Sequence, residues 1–223
     1  MYFAIIVFPG SNCDHDAYHV FENILNVSVD FVWHKETDLR KYDAIIIPGG
    51  FSYGDHLRTG AIARFSPVMD SIIKEANLGK PVFGICNGFQ ILIESGLLPG
   101  ALIVNRNVRF LSQNVILEVA STNSIYTRNM KKGNRLKMPI AHKEGNFIAN
   151  KETLMALEDE DRIAFRYIEG EETNPNGSLD RIAGILNQKR NVLGMMPHPE
   201  RAVESLLGSE DGLNIFKSII GMT

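Results

Sequence analysis

The sequence predicts an α/β fold, a mostly parallel sheet with helices on both faces and β-rich additions in its second half. Three observations predict it. The apolar runs Tyr2 to Phe8, Ala44 to Ile47 and Pro81 to Ile85 do not alternate with polar residues, as strands buried on both faces of a parallel sheet require. Segments with helical spacing lie between those runs, the order a parallel sheet needs for its crossovers. From Asn114 onward several segments alternate apolar and polar residues instead, as antiparallel strands with one wet face do.

The first strand, Tyr2 to Phe8, is closed by Pro9-Gly10. It has no basic region before it and reads as a strand, not a signal peptide. Ser11-Asn12 is expected to cap a helix with Asp14 and Asp16 in its first turn and Ala17, Val20, Phe21, Ile24 and Leu25 as its apolar stripe. Val27 to Trp33 alternates like a strand, and Ala44 to Ile47 is a short one closed by Pro48-Gly49-Gly50. Pro67 to Leu78 is helical in pattern, with Val68, Ile72, Ile73 and Ala76 on one side. The strand Pro81 to Ile85 leads into a helix over Asn87 to Ser95, stopped by Gly96. Asn114 to Ala120 and Leu136 to Ala141 alternate, and Arg181 to Leu186 and Val192 to Met196 bracket a hairpin. Glu169 to Gly177 reads as a surface loop, and Leu213, Phe216, Ile219 and Ile220 mark a last amphipathic helix. With no repeat and no long linker, residues 1–223 read as one domain.

Composition narrows the function. Of 223 residues, 44% are hydrophobic and 22% charged, which excludes a disordered or collagen-like chain. A net charge of −3 argues against a nucleic-acid binder. The basic cluster Arg128, Lys131, Lys132, Arg135 and Lys137 reads as a solvated, mobile loop. Two cysteines, Cys13 and Cys86, make no disulfide framework and fit a reduced, cytoplasmic setting. No segment has the roughly 20 apolar residues of a membrane span.

Gly84-Ile85-Cys86-Asn87-Gly88 carries the strongest chemical signal. A nucleophile on a tight strand-to-helix turn needs small residues two before and two after it, because side chains there would clash. At the start of a helix the Cys86 thiolate is favoured by backbone N–H groups and the helix dipole, and the Asn87 N–H can face an oxyanion. The base is open between two His-x-Glu pairs, His198-Pro199-Glu200 and His142-Lys143-Glu144, with a slight edge to the first. On an extended backbone His198 and Glu200 share one side, so Glu200 can steady the imidazolium. No cysteine or histidine cluster has metal-ligand spacing. Gly50-Phe51-Ser52-Tyr53-Gly54 matches the serine elbow in form, but no helical stripe follows it, and it reads better as a glycine loop lining an oxyanion hole. Asp55-His56 stands where a phosphate loop needs Lys-Ser/Thr, so the chain is not expected to bind ATP. Cys13 lacks a second glycine and an apposed base, and reads as structural.

Together these segments resemble the class I (triad) glutamine amidotransferases, a family with a flavodoxin-like sheet. Pro9 to Asp14, Pro48 to Asp55, Gly60 to Ala63, Gly84 to Gln90, Ala141-His142, Glu144-Gly145 and Met196 to Arg201 are similar to one branch of it, the glutaminase subunits of phosphoribosylformylglycinamidine synthases. The resemblance implies that Cys86 attacks the glutamine amide and forms a γ-glutamyl thioester, with His198 as base and Glu200 as its partner. It implies oxyanion donors at Gly50 or Phe51 and at Asn87, and glutamine contacts at Gln90, Asn105 and Phe110. It further implies no cofactor in this chain, a partner synthetase that uses ATP and Mg, and a small bridging subunit. Three positions depart from the pattern: His56 in place of a tyrosine, Lys143 in place of a glycine, and Thr59 where a cysteine is frequent. A cysteine hydrolase of another substrate on the same core is the alternative, and a regulatory subunit with a vestigial triad is a third reading. Gln90 and His198-Pro199-Glu200 argue against the first of these, and the intact triad against the second.

Overall fold

The computed structural model describes residues 1–169 and 174–222. Along the chain the elements are β1 (Tyr2–Val7), α1 (Asp14–His19), β2 (Ser28–Trp33), β3 (Ala44–Ile47), α2 (Pro67–Asn77), β4 (Val82–Ile85), α3 (Asn87–Glu94), β5 (Ala101–Ile103), β6 (Leu111–Val119), β7 (Arg135–His142), β8 (Asn146–Ile148), α4 (Lys151–Asp159), β9 (Ile163–Tyr167), β10 (Ile182–Leu186), β11 (Val192–Met195) and α5 (Leu213–Ile220). Nine strands form one sheet in the order β2-β1-β3-β4-β11-β10-β9-β6-β7, and β5 and β8 pair apart from it. β2, β1, β3, β4 and β11 run parallel. β10, β9, β6 and β7 continue the sheet antiparallel, and are the β-rich additions.

Helices cover both faces, and side-chain size explains how. On β4, Phe83 and Ile85 point one way and Val82 and Gly84 the other, by the period of two. Phe83 packs on Phe216 of α5 at 6.1 Å between ring centroids, and Phe216 meets Phe21, which stacks on Phe3 of β1. Removing Phe216 would cost about 3–5 kcal/mol by cavity formation. On the opposite face Gly84 pairs with Gly194 of β11, and α3 lies in the trough they leave. A Cβ on Gly84 would stand 2.5 Å from Leu92 Cδ1, and one on Gly194 2.1 Å from Phe89 Cδ2.

Four local expectations are corrected. Ser11-Asn12 does not cap α1, whose N-cap is Cys13 with no side-chain bond; Ser11 Oγ instead accepts the Phe8 N–H at 3.0 Å and stabilises the Pro9-Gly10 turn. The first helix changes at Val20 to a π turn ending at Ile24, whose wider winding leaves Ile24 and Leu25 half-buried. The basic cluster is not simply a loop: Arg135 and Lys137 belong to β7, and Arg128 Nε donates to Ser218 O at 3.1 Å. In the stretch Glu169 to Gly177, residues 170–173 lie outside the described residues, but Asn176 is fully buried, its amide donating to Gly145 O at 2.8 Å and Tyr167 Oη at 3.0 Å. β5, β8, α4 and β9 add to the expected elements. Among the described residues no helix is long and apolar enough to cross a membrane.

The segments after β1, β3, β4 and β11 all leave the sheet at the carboxyl ends of parallel strands, where such sheets build their clefts. The end of β7 and the turn after it close that cleft from the antiparallel half.

Candidate active site

Cys86 occupies the turn between β4 and α3 at φ 50°, ψ −103°, outside the regions a side chain prefers. Such a residue costs on the order of 1–3 kcal/mol and persists only where its surroundings hold it. Here the surroundings require glycine: a Cβ on Gly88 would lie 1.9 Å from Ile47 O, and one on Gly84 2.7 Å from the Gly88 carbonyl carbon. The sheet reaches into the turn through Cys86 N–H, which donates to Met195 O at 2.8 Å. The thiol is almost buried and faces Ala141 O at 3.7 Å. Asn87 begins α3, so its N–H has no partner within the helix.

His198 and Glu200 follow β11. The backbone there is not extended: Pro199–Arg201 forms a 3-10 turn, and His198 N–H donates to Pro139 O at 2.8 Å. The turn still places the carboxylate on the ring, with Glu200 Oε1 accepting from His198 Nδ1 at 2.6 Å. Burial is the largest single influence and disfavours the charged ring, but the Glu200 carboxylate and the thiols of Cys86 and Cys13 together outweigh it. The His198 pKa is therefore held well above the ordinary imidazole value. Nε2 is buried with no hydrogen-bond partner, free to exchange a proton.

Cys13, read from sequence as lacking a base, lies against His198. A Cβ on Gly49 would be 2.8 Å from His198 Cε1 and 3.1 Å from Cys13 Sγ, so the chain must be bare where it passes the ring. Burial pushes the Cys13 thiol up, partly offset by His198. Ligand atoms of Cys13, His198 and Glu200 lie within 4.8 Å of one another. These are metal-binding types, but Arg201 Nη2 donates to Cys13 Sγ at 3.2 Å and sets a fixed positive charge there. The geometry favours a hydrogen-bonded His–Glu pair over a cation.

Of the two loop candidates for an oxyanion donor, only one is available. Phe51 N–H donates to Gly10 O at 3.0 Å and is spent, which corrects the expectation for Phe51; Gly50 N–H has no such bond among the described residues. Gly50, at φ 144°, lies where a Cβ would meet the Ser11 and Asn12 backbone within 3 Å. Ser52 is no nucleophile here: it is buried, and both its N–H and its Oγ donate to Asn87 Oδ1.

Cys86 opens on a cavity of about 290 Å³ lined by Gly50, Phe51, Asp55, Gln90, Phe110 and residues 141–144, among others. That is at the small end for a ligand site, the scale of an amino acid. A larger hollow of about 840 Å³ beside β2 lies three strands from Cys86. Phe110 lines the cavity. Gln90 also lines it, but its amide is committed, accepting from Asn87 Nδ2 at 2.9 Å and donating to Glu144 O at 2.6 Å. Asn105 is buried behind the wall and does not line the cavity; it braces Arg109, His142 and Gly145, so a direct ligand contact there is corrected. Asp55, Thr59 and His142 line the cavity without having been singled out as ligand contacts. Burial, then the nearby Glu144 carboxylate, raises the Asp55 pKa to about 6.

A strained cysteine at a strand-to-helix turn, beside a hydrogen-bonded His–Glu pair across the carboxyl ends of a parallel sheet, is an arrangement suited to a cysteine nucleophile. The pattern of the CobB/CobQ-like glutamine amidotransferase domain matches residues 2–212, and the chain belongs to that family. It is similar to a chain of PurLQS from Thermotoga maritima, with 44% identity, a TM-score of 0.89, and 99% of this chain and 97% of that one covered. Two more distant likenesses show the fold alone. A glutamine amidotransferase from Thermotoga maritima is 17% identical with a TM-score of 0.62, covering 99% and 96%. The glutaminase domain of Trypanosoma brucei CTPS with bound acivicin is 15% identical with a TM-score of 0.63, covering 100% and 95%.

Proposed function

We propose that this chain, one domain over residues 1–223, is the glutaminase subunit of a phosphoribosylformylglycinamidine synthase, working in the cytoplasm. It would act beside a synthetase subunit that uses ATP and Mg, and a small bridging subunit. The observation that carries the chemistry is Cys86, held at φ 50° before an amino-acid-sized cavity, with the His198–Glu200 pair beside it. The motifs from Pro9 to Arg201 and the 44% identity to a chain of PurLQS support the pathway.

His198 takes the Cys86 proton, and the thiolate adds to the side-chain carbonyl carbon of glutamine. The Gly50 and Asn87 N–H groups receive the oxyanion. The C–N bond breaks as His198 returns the proton to nitrogen, giving ammonia and the γ-glutamyl thioester. Water then gives a proton to His198 and attacks; the C–S bond breaks, the sulfur regains its proton, and glutamate leaves. Asp55 and Glu144 attract the substrate ammonium, and Phe110 covers its chain. Ammonia goes to the synthetase, which makes formylglycinamidine ribonucleotide.

A glutamine-mimicking diazoketone, followed by peptide mass analysis on the subunit and on its complex with the synthetase, tests this. The expected adduct is on Cys86 and is suppressed by glutamine. An adduct on Ser52 or Cys13, or one on Cys86 indifferent to glutamine, would return the chain to the hydrolase reading.

A further inference from the structure

The two oxyanion donors come from different parts of the fold, Gly50 after β3 and Asn87 at the start of α3, so their aim must be fixed relative to each other. Backbone bonds tie the glycine loop to the Pro9-Gly10 turn, with Phe51 N–H donating to Gly10 O at 3.0 Å and Tyr53 N–H to Pro9 O at 2.6 Å. That turn follows β1, which flanks β3 on the side opposite β4 and its helix. The loop then passes through three left-handed residues, Tyr53, Gly54 and Asp55, a path that persists only where neighbours hold it. Among the described residues, every hydrogen bond from residues 50–55 to α3 ends on the Asn87 side chain: Oδ1 accepts the Ser52 N–H at 3.1 Å and the Ser52 hydroxyl, and Nδ2 reaches Asp55 Oδ1 at 3.5 Å. The Asn87 amide cannot turn over. The Ser52 N–H can only donate, so the amide oxygen faces it. Asn87 Nδ2 then donates to Gln90 Oε1 at 2.9 Å, and Gln90 Nε2 to Glu144 O at 2.6 Å, a carbonyl that can only accept. An N–H at one end of the chain and a carbonyl at the other fix both amides. Ser52, Asn87 and Gln90 are all buried, so water does not compete for these bonds.

We propose that the Asn87 side chain positions the oxyanion hole: by gripping Ser52 it aims the Gly50 N–H, two residues earlier, at the point its own backbone N–H faces. This rests on the glutaminase reading. One residue supplies one donor with its backbone and sets the other with its side chain. Packing alone does not require the grip. Ile47 O lies so close to Gly88 that a Cβ there would stand 1.9 Å from it, so contact between β3 and α3 is already set. The two bonds from Ser52 add direction to a loop that lies beyond that contact. The bond from Gln90 to Glu144 O braces the far end of the chain against the turn after β7.

Two reactions of Cys86 separate this from a merely structural role. Glutamine hydrolysis passes through an oxyanion. Iodoacetamide does not: the Cys86 thiolate displaces iodide, a C–S bond replaces the C–I bond, and no carbonyl becomes tetrahedral. The measurements, in the complex with the synthetase, are kcat and KM for glutamine and the rate of Cys86 alkylation followed by peptide mass. Asn87→Leu keeps the backbone N–H but removes the acceptor, and kcat should fall by about 10²–10³-fold, the loss of one oxyanion donor. KM and the alkylation rate should change by less than about threefold, since the oxyanion exists only beyond the ground state. Ser52→Ala keeps the N–H bond and loses the hydroxyl bond, so kcat should fall by about tenfold, the scale of one hydrogen bond. In the Asn87→Leu background it should cost nothing further, because the shared acceptor is gone. An unchanged kcat in Asn87→Leu, an alkylation rate that falls in parallel with kcat, or losses that multiply in the double variant would overturn the proposal. Should Asn87→Leu not fold, Ser52→Ala decides: a lower kcat at an unchanged alkylation rate is expected, and an unchanged kcat overturns it. A wild-type complex that hydrolyses no glutamine fails earlier, at the glutaminase reading, and takes this inference with it.

Discussion

The two His-x-Glu segments teach opposite lessons from the same letters. His198 and His142 are both buried, and burial pushes both rings toward the neutral form. Glu200 turns back onto His198 at 2.6 Å and makes it a base that can hold a proton. Glu144 turns away: Thr59 Oγ1 donates to its Oε2 at 2.8 Å, and the neutral Asn105 amide meets His142 instead. Burial alone makes an acceptor, and burial with a carboxylate makes a base.

The largest expected effect breaks that pairing directly. His198→Ala should slow thioester formation by about 10²–10⁴-fold at saturating glutamine, the range a general base contributes. His142→Ala should leave thioester formation largely intact. Quenched-flow trapping of the acyl-enzyme in the complex reads both. A larger rate loss for His142→Ala would exchange the roles of the two histidines.

Much of this was legible in the sequence, and the rest was not for identifiable reasons. The parallel strands could be read because both faces are buried, leaving unbroken runs such as Ala44 to Ile47. The elbow could be read because Gly88 meets Ile47 O too closely for any side chain, which leaves its trace as Gly-x-Cys-x-Gly. α4 has a weak stripe, with only Leu157 fully buried, and β5 and β8 are three residues each. Within the site, the choice between the His-x-Glu pairs depends on the Thr59 hydroxyl, 85 residues from Glu144. The loss of Phe51 as a donor depends on Gly10 O, and the setting of Cys13 on His198, contacts that no local pattern announces.

A smaller effect tests the two rings through stability. In the unfolded chain His142 takes its proton near 6.5 and in the folded protein near 3. Between those values only the unfolded state binds the proton, so stability drops as pH is lowered, by up to about 1.4 kcal/mol per unit. His198 has the opposite sign: its raised folded pKa contributes stability fully present below 6.5 and lost as pH rises through the folded value. Urea midpoints should therefore show His142→Asn gaining on wild type as pH falls from 6.5 to 4. His198→Asn should lose ground to wild type as pH falls from 9 to 6.5. Slopes of the same sign would mean that burial governs both rings.

The smallest effect concerns the carboxylate that His142 does not receive. After burial, Glu144 is the next cause holding Asp55 near 6, so the second His-x-Glu pair acts on an aspartate instead of on its own histidine. In the proposed reaction Asp55 attracts the substrate ammonium only when ionised, so kcat/KM for glutamine should fall as pH drops through about 6. Removing the Glu144 charge relieves the repulsion but not the burial. Glu144→Gln should therefore shift that acidic limb downward, by less than the whole displacement from 3.8, while Asp55→Asn should abolish it. The pH profile of the complex distinguishes these cases. A limb unmoved by Glu144→Gln but lost in Asp55→Asn would leave burial as the sole cause, and a limb surviving both would belong to another group.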